Sequence, residues 1–507
     1  MTLAARTPPE TIEFDPFAGP AIVASAPTTA AQREIWAATR LGVDASLAFN
    51  ESVTIRLAGA LDEGALRTAV WAVVARHEAL RTIFAPDGEA MMVLEPPAEV
   101  PLVVHDWSAL DAAACADALA ALCARVVDEP FELTSGPLVR FALGRLGPEA
   151  HALVITAHHI VCDGWSFGVV ARDLAGAYTA ARAGRPLPID GAPRLSVHAR
   201  RSHGEDARAA LAEAERYWTA CLADAPAPVE LPTDRPRPPE RTFAAGRVDH
   251  VLQRPLVQRL ARVGAADGAS LFATLLAGFG AFLARATGED DLVVGIPAAG
   301  QATAGEPDLV GHLVHLLPVR LRPDLGSTVP ALLRSVRGAV LDAFEHHALT
   351  FGALLARLPL PRDASRPPLV SVAFNLERGV GAAAMPFDGL QAAFASNPRR
   401  YELFELFVNA VDVDGVVTLE CQYNAALFDP ESVAGWMASY ERLLEAMATA
   451  GDADGGEPAA TVGRLPIVPA AHLEAIARWN ATERALPATL LAHHPFERQA
   501  ARTPHAV

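Results

Sequence analysis

Lysine is absent from this sequence. All 42 residues of the lysine or arginine type are arginine, against 59 aspartates and glutamates, and the formal net charge is −17. Without lysine the chain has neither a P-loop lysine for a nucleotide phosphate nor a Schiff base for pyridoxal phosphate or a carbonyl substrate. An acidic chain is also a poor partner for nucleic acid unless its arginines cluster. We therefore expect no nucleic-acid partner.

Cysteine and long apolar runs are scarce as well. The five cysteines are odd in number and scattered, which favours a reducing cytoplasm over a disulfide framework. The longest apolar stretch, around residues 271–283, is too short to cross a bilayer, and the N-terminus MTLAARTPPE lacks the apolar core of a signal peptide. These features predict a cytoplasmic protein without a membrane partner, and we expect a monomer.

Hydrophobic residues make up 51% of the chain and charged residues 20%, which predicts a large folded protein of two or more domains. Helical spacing and strand alternation occur in both halves. Residues 52–57 alternate like a strand, and residues 407–411 and 417–423 predict a hairpin. The mixture indicates an α/β or α+β fold.

Breaks in the pattern divide the chain. Residues 1–27 lack periodicity and are interpreted as a leader. The proline-rich run at 231–239 cannot form a regular interior element, so we interpret it as a crossover between two halves. We assign residues 28–190 to a first lobe, residues 191–455 to the crossover and a second lobe, and residues 456–507 to a linker and a further segment.

The densest polar cluster in an apolar setting is HHIVCDG at residues 158–164. It lies between a predicted buried strand at 151–157 and a predicted helix, where side chains reach into clefts. A histidine there can share a proton near neutral pH, a carboxylate can orient a ring or hold the loop, and a glycine allows close backbone approach.

Other interpretations compete for this cluster. A His-His pair is more often structural than catalytic. His158, His159, Cys162 and Asp163 are all metal-ligand types, but adjacent residues of a strand point to opposite faces, so we expect no metal site. The pairs His312/His315 and His346/His347 support a metal no better. Trp165 and Cys162 are expected to be packing residues.

Five segments in order give a specific resemblance. HHIVCDG is similar to the HHxxxDG signature of nonribosomal peptide synthetase condensation domains, which belong to the chloramphenicol-acetyltransferase-like superfamily. Further segments resemble the other motifs of that family. They are AQREIW at 31–36, RHEALRTIF at 76–84, VGHLVHLLPVR at 310–320 and RDASR at 362–366. The resemblance covers about residues 28–449.

This resemblance implies two acetyltransferase-like lobes in a V with a central substrate tunnel. It also implies an acyltransferase that forms an amide. A donor acyl group (fatty acyl, polyketide or peptidyl) moves from a thioester to the amine of an aminoacyl carrier protein. Both substrates would be carried on phosphopantetheine or CoA, and the domain itself would bind no cofactor.

The resemblance also suggests residue roles. His159 would lie beside the amine, as a general base or as a positioning group, and His158 would support it. Gly164 would act through backbone approach, and Asp163 would pair with Arg320 across the lobes. The further residues expected to support the site or line the tunnel are Asn375, Trp165, Ser166 and His315, with Asn375 equally readable as a strand-end cap.

Some positions depart from the family pattern. His315 replaces the usual asparagine, and His346-His347 replaces a His/Asn-Gln pair. WNATER at 479–484, HPFE at 494–497 and QAARTP at 499–504 resemble the opening of an adenylation domain, and we interpret residues 456–507 as a linker and the truncated start of one. The departures at His315 and His346-His347 concern the acceptor side of the site more than the reaction itself.

The sequence allows more than one donor group and more than one set of partners. Residues 310–320 and SNPRRYE at 396–402 resemble the subgroup that follows polyketide modules or accepts fatty acyl groups. A start near Met1 suits a starter domain of lipopeptide type, or a first domain fed in trans. We expect donor and acceptor carrier proteins, or acyl-CoA as donor, and a downstream adenylation domain. The alternatives are a stand-alone CoA-dependent acyltransferase and a non-catalytic carrier-docking scaffold.

Overall fold

The computed structural model describes residues 20–450, 460–483 and 491–505. Most of the predicted leader, and residues 456–459, 484–490 and 506–507 of the predicted linker and further segment, lie outside the described residues. Helices and strands are organised around two large hydrophobic cores, one in each half of the chain. The predicted two-lobed mixed α/β fold is confirmed.

The N-terminal lobe contains a three-stranded sheet of order β1-β4-β3 and most of a five-stranded sheet. Its strands are β1 Ile22–Pro27, β2 Asn50–Ala58, β3 Thr82–Phe84, β4 Ala90–Leu94, β5 Leu102–Asp106, β6 Val139–Gly147 and β7 Ala150–His158. Its helices are α1 Ala30–Thr39, α2 Val43–Leu47, α3 Glu63–Arg76, α4 Ala112–Asp128, α5 Gly164–Arg182 and α6 Leu195–Arg201.

The C-terminal lobe is formed around a six-stranded sheet. Its helices are α7 Glu205–Cys221, α8 Arg254–Ala266, α9 Leu271–Thr287, α10 Gly300–Thr303, α11 Val329–Glu345, α12 Phe351–Leu355 and α13 Pro430–Ala450, followed by α14 Ala470–Asn480 and α15 His494–Arg502. Its six strands are β8 Ala245–Leu252, β9 Leu292–Ala299, β10 Val314–Leu321, β11 Val372–Arg378, β13 Leu406–Val413 and β14 Val416–Asn424. A further strand of this half of the chain, β12 Gln391–Ser396, is not part of this sheet. The strand order is β10-β9-β11-β13-β14-β8, and the segment 231–239 contains neither helix nor strand.

One strand of the C-terminal half crosses to the other lobe. β12 pairs antiparallel with β2 and completes the five-stranded sheet β12-β2-β7-β6-β5. Leu309, Val310 and Leu313 also pack into the N-terminal core. The lobes therefore share backbone hydrogen bonds and apolar contacts, which sequence periodicity does not indicate because it carries no information on pairing partners.

No single helix among the described residues has both the length and the hydropathy needed for a membrane span. Among the described residues, α8 and α9 pass this test only when they are taken together, and they meet at a 98° bend. The α9 residues 273–284 are all buried in the C-terminal core.

The predicted pairing of Asp163 with Arg320 is wrong. The Arg320 guanidinium bonds Asp291 at 2.6 and 2.8 Å, and it bonds the Asp224 carboxylate at 2.7 Å. Asp291 lies just before β9, the antiparallel neighbour of β10, so the register places it beside Arg320 within one lobe. Both ion pairs of Arg320, with Asp291 and with Asp224, are thus formed within the C-terminal lobe.

We expect Arg320→Ala to lower the free energy of unfolding by about 2 kcal/mol, because the Asp291 carboxylate loses charge-assisted bonds while Asp224 stays solvated. Chemical denaturation would measure this. In a double-mutant cycle, Arg320→Ala and Asp291→Ala should couple, whereas Arg320→Ala and Asp163→Ala should add. Coupling with Asp163 above about 0.5 kcal/mol would restore the original pairing.

Candidate active site

The segment between β7 and α5 forms a tight connection from a buried strand to a helix start. His158 is the last residue of β7, and α5 begins at Gly164. Asp163 is the N-cap residue of α5, and its carboxylate accepts from the Ser166 backbone N–H at 2.8 Å and from the Ser166 hydroxyl at 2.7 Å. Asp163 thus provides an acceptor for a backbone N–H of the first helical turn that has no partner within the helix.

The Asp163 carboxylate also holds the two halves of the chain together. It accepts from the Gln301 amide at 2.8 Å and from the Leu313 backbone N–H at 3.1 Å. Ser166 adds to the link, because its hydroxyl oxygen accepts from the Gly311 backbone N–H at 3.0 Å. The side chains of Asp163 and Ser166 are both fully buried. Together they form a buried polar joint between the two halves of the chain.

His158 faces the protein interior. Its Nδ1 accepts from the Ile160 backbone N–H at 3.2 Å, and its ring lies 6.0 Å from Phe49 and 6.1 Å from Phe131 between ring centroids. Burial lowers the pKa of His158 to about 3, so the ring is neutral at physiological pH. The structure therefore places His158 in the interior of the N-terminal lobe and not on the cavity wall.

His159 faces the cavity between the lobes. Its Nδ1 lies 3.1 Å from the Cys162 carbonyl, which can only accept, so Nδ1 carries the proton. Its Nε2 lies 3.3 Å from the Glu51 carboxylate. The ring of His312 packs edge-on against it at 4.7 Å between centroids, and burial holds the pKa of His312 well below its usual value. The side chains of His158 and His159 thus point into different surroundings, and they are not placed to bind one metal ion together.

The cavity has a volume of about 1410 Å³ and is lined by both lobes. His159, Gly164, Trp165 and His315 all contribute to its wall. The indole of Trp165 donates to the Pro307 carbonyl at 2.8 Å while 43% of the residue stays exposed, so Trp165 is a wall residue as well as a packing residue. His315 is bonded through Nδ1 to the His347 carbonyl at 2.6 Å.

Asn375 belongs to a polar row on the cavity face of the six-stranded sheet. It lies within β11, away from the strand ends, which excludes the strand-cap interpretation. Its side chain donates to the Asn409 carbonyl oxygen at 2.9 Å, and Asn409 pairs in register with Asn375 on one side and with Glu420 on the other. The alternate residues of the strands, such as Phe374, pack into the core.

Sequence reasoning missed several groups of this wall. They are Glu51, His312, Glu377, Arg399, Asn409 and Glu420, all of which line the cavity. The available signal was a polar residue at an inward position of an otherwise apolar strand, as with Asn409 in LFVNAV. That pattern identifies an unusual position, but it cannot say which lobe the side chain meets.

Three ligand-type side chains at the start of α15 also lie close together, namely those of the N-cap residue His493, of His494 and of Glu497. They belong to the segment after residue 490, on an exposed helix, and none of them lines the cavity. Exposed clusters of this kind are common on protein surfaces without a bound ion.

We expect Asp163→Ala to cost about 3 kcal/mol of unfolding free energy, because it leaves Gln301, Leu313 and the α5 N-terminus without their buried acceptor. Asp62→Ala is the matched control, since Asp62 caps α3 through one bond to Ala65 at 2.9 Å. Its expected cost is about 1 kcal/mol. Equal losses in thermal or denaturant unfolding would show that Asp163 is only a cap.

Comparisons with known proteins agree with this architecture. Residues 23–461 match the family model described as "Condensation domain". Chondramide synthase cmdD of Chondromyces crocatus is 32% identical over 486 residues, which is 95% of this chain but 12% of the synthase. The chain thus spans about an eighth of that relative.

Two solved structures share the fold. The first condensation domain of the calcium-dependent antibiotic synthetase, in complex with substrate analogue 3a, superposes with a TM-score of 0.76 at 23% identity, covering 88% of this chain and all of that one. A variant of the starter condensation domain of rhizomide synthetase RzmA, in complex with C8-CoA, gives 0.72 at 22% identity, covering 88% and 98%. Because the family model matches residues 23–461, which is most of this chain, the chain belongs to the condensation domain family of nonribosomal peptide synthetases.

Proposed function

We propose that this chain forms an amide by transferring a donor acyl group from a thioester to the amine of an aminoacyl group on an acceptor carrier protein. The observation that carries the proposal is the position of His159 and Gly164 on the wall of a cavity shared by two lobes. Such a cavity lets two pantetheine-borne substrates meet inside the protein, away from bulk water.

The reaction depends mainly on how the amine and the thioester are positioned relative to each other. The amine nitrogen attacks the thioester carbonyl carbon, the carbon–sulfur bond breaks, and the donor arm leaves as a thiol. Bringing two tethered reactants together supplies a large part of the rate, because translational and rotational entropy is lost on binding rather than in the reaction. The residues of this chain then need to hold the amine and take up one proton.

His159 is the proposed partner of the amine. With Nδ1 donating to the Cys162 carbonyl, a neutral ring leaves the Nε2 lone pair and the Glu51 carboxylate, 3.3 Å apart, as two acceptors at the cavity. An amine at this position could donate to Nε2 and so be aligned for attack. His158, neutral and buried behind the loop, keeps the backbone in place through its bond to Ile160.

Gly164 is proposed to act through the space it leaves. A Cβ at this position would lie 3.2 Å from a carboxylate oxygen of Glu377 across the cavity. That distance is tighter than ordinary van der Waals contact, so a side chain here would narrow the passage at the reacting loop.

The partners follow from the same proposal. A donor carrier protein or acyl-CoA would supply the acyl group, and an acceptor carrier would be loaded by an adenylation domain of the same synthetase. A starter or polyketide-following role of lipopeptide type is the finer proposal for the donor. It is supported by the likeness to a starter domain solved with C8-CoA, which remains a statement about that protein. We propose a cytoplasmic monomer that recruits carriers transiently.

The first test is product formation. We expect the chain, mixed with an aminoacyl-loaded acceptor carrier and a panel of acyl-CoA and acyl-carrier donors, to give an amide detectable by mass spectrometry. Medium-chain acyl donors should outcompete aminoacyl donors if the starter role is correct. Absence of a condensed product with every donor would support a docking scaffold, and transfer to small free amines alone would support a stand-alone acyltransferase.

The second test concerns His159. We expect His159→Ala to lower kcat by about 10²–10⁴-fold, the usual contribution of a positioned proton acceptor, without lowering the melting temperature. His472→Asn, at an exposed histidine outside the cavity, is the control and should retain the full rate. A His159→Ala variant with near-wild-type kcat would remove the proposed role of that residue.

A further inference from the structure

Glu377 is a carboxylate on the cavity wall to which no role has yet been assigned. It lies on β11 two residues after Asn375, so both side chains are on the cavity face of the sheet. Its Oε1 accepts from the Asn409 amide at 2.9 Å. Its Oε2 has no hydrogen-bond donor among the described residues and is therefore available to a ligand.

The free oxygen of Glu377 is directed at the reacting loop. It lies 3.2 Å from the position of a Cβ at Gly164, the first residue of α5. Gly164 belongs to the N-terminal lobe and β11 to the C-terminal lobe, so this contact crosses the cavity at the level of the HHIVCDG segment. The carboxylate is therefore part of the reaction chamber rather than of a distant wall.

Asn409 fixes the orientation of the Glu377 carboxylate. One amide hydrogen of Asn409 is given to Glu377, and a 3.2 Å contact joins the same nitrogen to the Glu420 carboxylate. Its carbonyl oxygen accepts from Asn375, which leaves it little freedom to rotate. A side chain held in this way presents one oxygen to the cavity at a constant position.

Two carboxylates, Glu51 and Glu420, and one guanidinium, that of Arg399, lie near enough to influence the charge of Glu377. Glu51, Glu402 and Glu420 line the same cavity, and Arg399 contacts Glu51 and Glu402. Arg247 is bonded to Glu420 and to Asp249. The two arginines are thus engaged by other acids, and neither is hydrogen-bonded to Glu377.

Burial makes this carboxyl responsive near neutral pH. Desolvation raises the pKa of Glu377 to about 7, the Glu420 and Glu51 carboxylates add to the rise, and the Asn409 bond and the Arg399 charge oppose it. A carboxylate with such a pKa can accept a proton at physiological pH and return it to solvent. A nearby cation would favour its charged form.

The acceptor substrate brings a cation to this place. An α-amino group has an ordinary pKa of about 7.7–8.0, so at neutral pH most of the acceptor enters as an ammonium ion. An ammonium cannot attack a thioester until it loses a proton. The neutral ring of His312 offers it no counter-ion, so the carboxylates of the cavity wall are the groups that can pair with it.

We propose that Glu377 binds the ammonium group of the acceptor substrate opposite His159 and takes up its first proton. The ammonium gives one proton to the Glu377 carboxylate, and the freed amine forms the new carbon–nitrogen bond as the carbon–sulfur bond breaks. The second proton lost from nitrogen reaches the leaving thiolate through His159. Glu377 then releases its proton to solvent. This inference rests on the proposed function and assigns the acceptor side of the same site.

Binding of unreactive acceptor analogues tests the inference without any turnover. The probes are a stable amide analogue of alanyl-pantetheine and its propionyl counterpart, which differ only in the amino group. At pH 7.5 the wild-type chain should bind the amino analogue at least about tenfold more tightly in an NMR titration, as expected for a charge-assisted hydrogen bond. Below pH 6.5 this preference should shrink as Glu377 becomes protonated.

The variants isolate the carboxylate. Glu377→Gln keeps the shape and the Asn409 contact, and it should abolish the preference for the amino analogue. Glu289→Gln is the matched control, because burial also raises the pKa of Glu289, which lies outside the cavity. The control should keep the full preference. A preference retained by Glu377→Gln, or none in the wild type up to the solubility limit of the probes, would overturn the inference.

Kinetics provide the second measurement and separate this inference from the proposed function. In a system that forms product, Glu377→Gln should lower kcat/KM by about 10–100-fold and flatten its rise with pH near 7, and Glu377→Asp should recover part of both. An unchanged pH profile would contradict the proton-accepting role. If no donor gives product, the proposed function fails, while the analogue titration still decides whether Glu377 binds an ammonium group.

Discussion

The buried carboxylate of Asp163 is the interaction on which the site depends. It accepts from the first turn of α5 and from Gln301 and Leu313 of the other half of the chain. A buried carboxylate is stable only when its oxygens are satisfied, so the three elements must arrive together. Once they do, the loop that carries His159 is fixed at one end by β7 and at the other by a capped helix.

The cavity behind this joint combines two kinds of surface. Both lobes have large apolar cores, and the strands that face the cavity alternate between core and polar residues. The polar row of Asn375, Asn409 and Glu420 follows from the strand register, since residues directly opposite one another share a face. Its acids lie in a partly desolvated space, and this desolvation raises the pKa of Glu377.

Much of the local structure could be predicted from the sequence. Periodicity indicated α5, β2, β7 and the β13–β14 hairpin, because the spacing of apolar residues reflects the face that each element buries. The connection from strand to helix at HHIVCDG was predicted for the same reason. The exchange of β12 between the lobes was not, because an edge strand can satisfy its backbone on either sheet.

The amino-acid pattern alone indicates which residues can carry chemistry: a loop with two histidines, an aspartate and a glycine, in a chain without lysine. The surroundings of these residues follow from the tertiary fold. In the folded chain His158 is buried in the core, and Arg320 pairs with Asp291 instead of Asp163. Glu51 and Glu377 lie beside the HHIVCDG loop. The physical reason is that local spacing sets which face a residue occupies, whereas strand pairing and lobe contacts between distant segments set what it meets there.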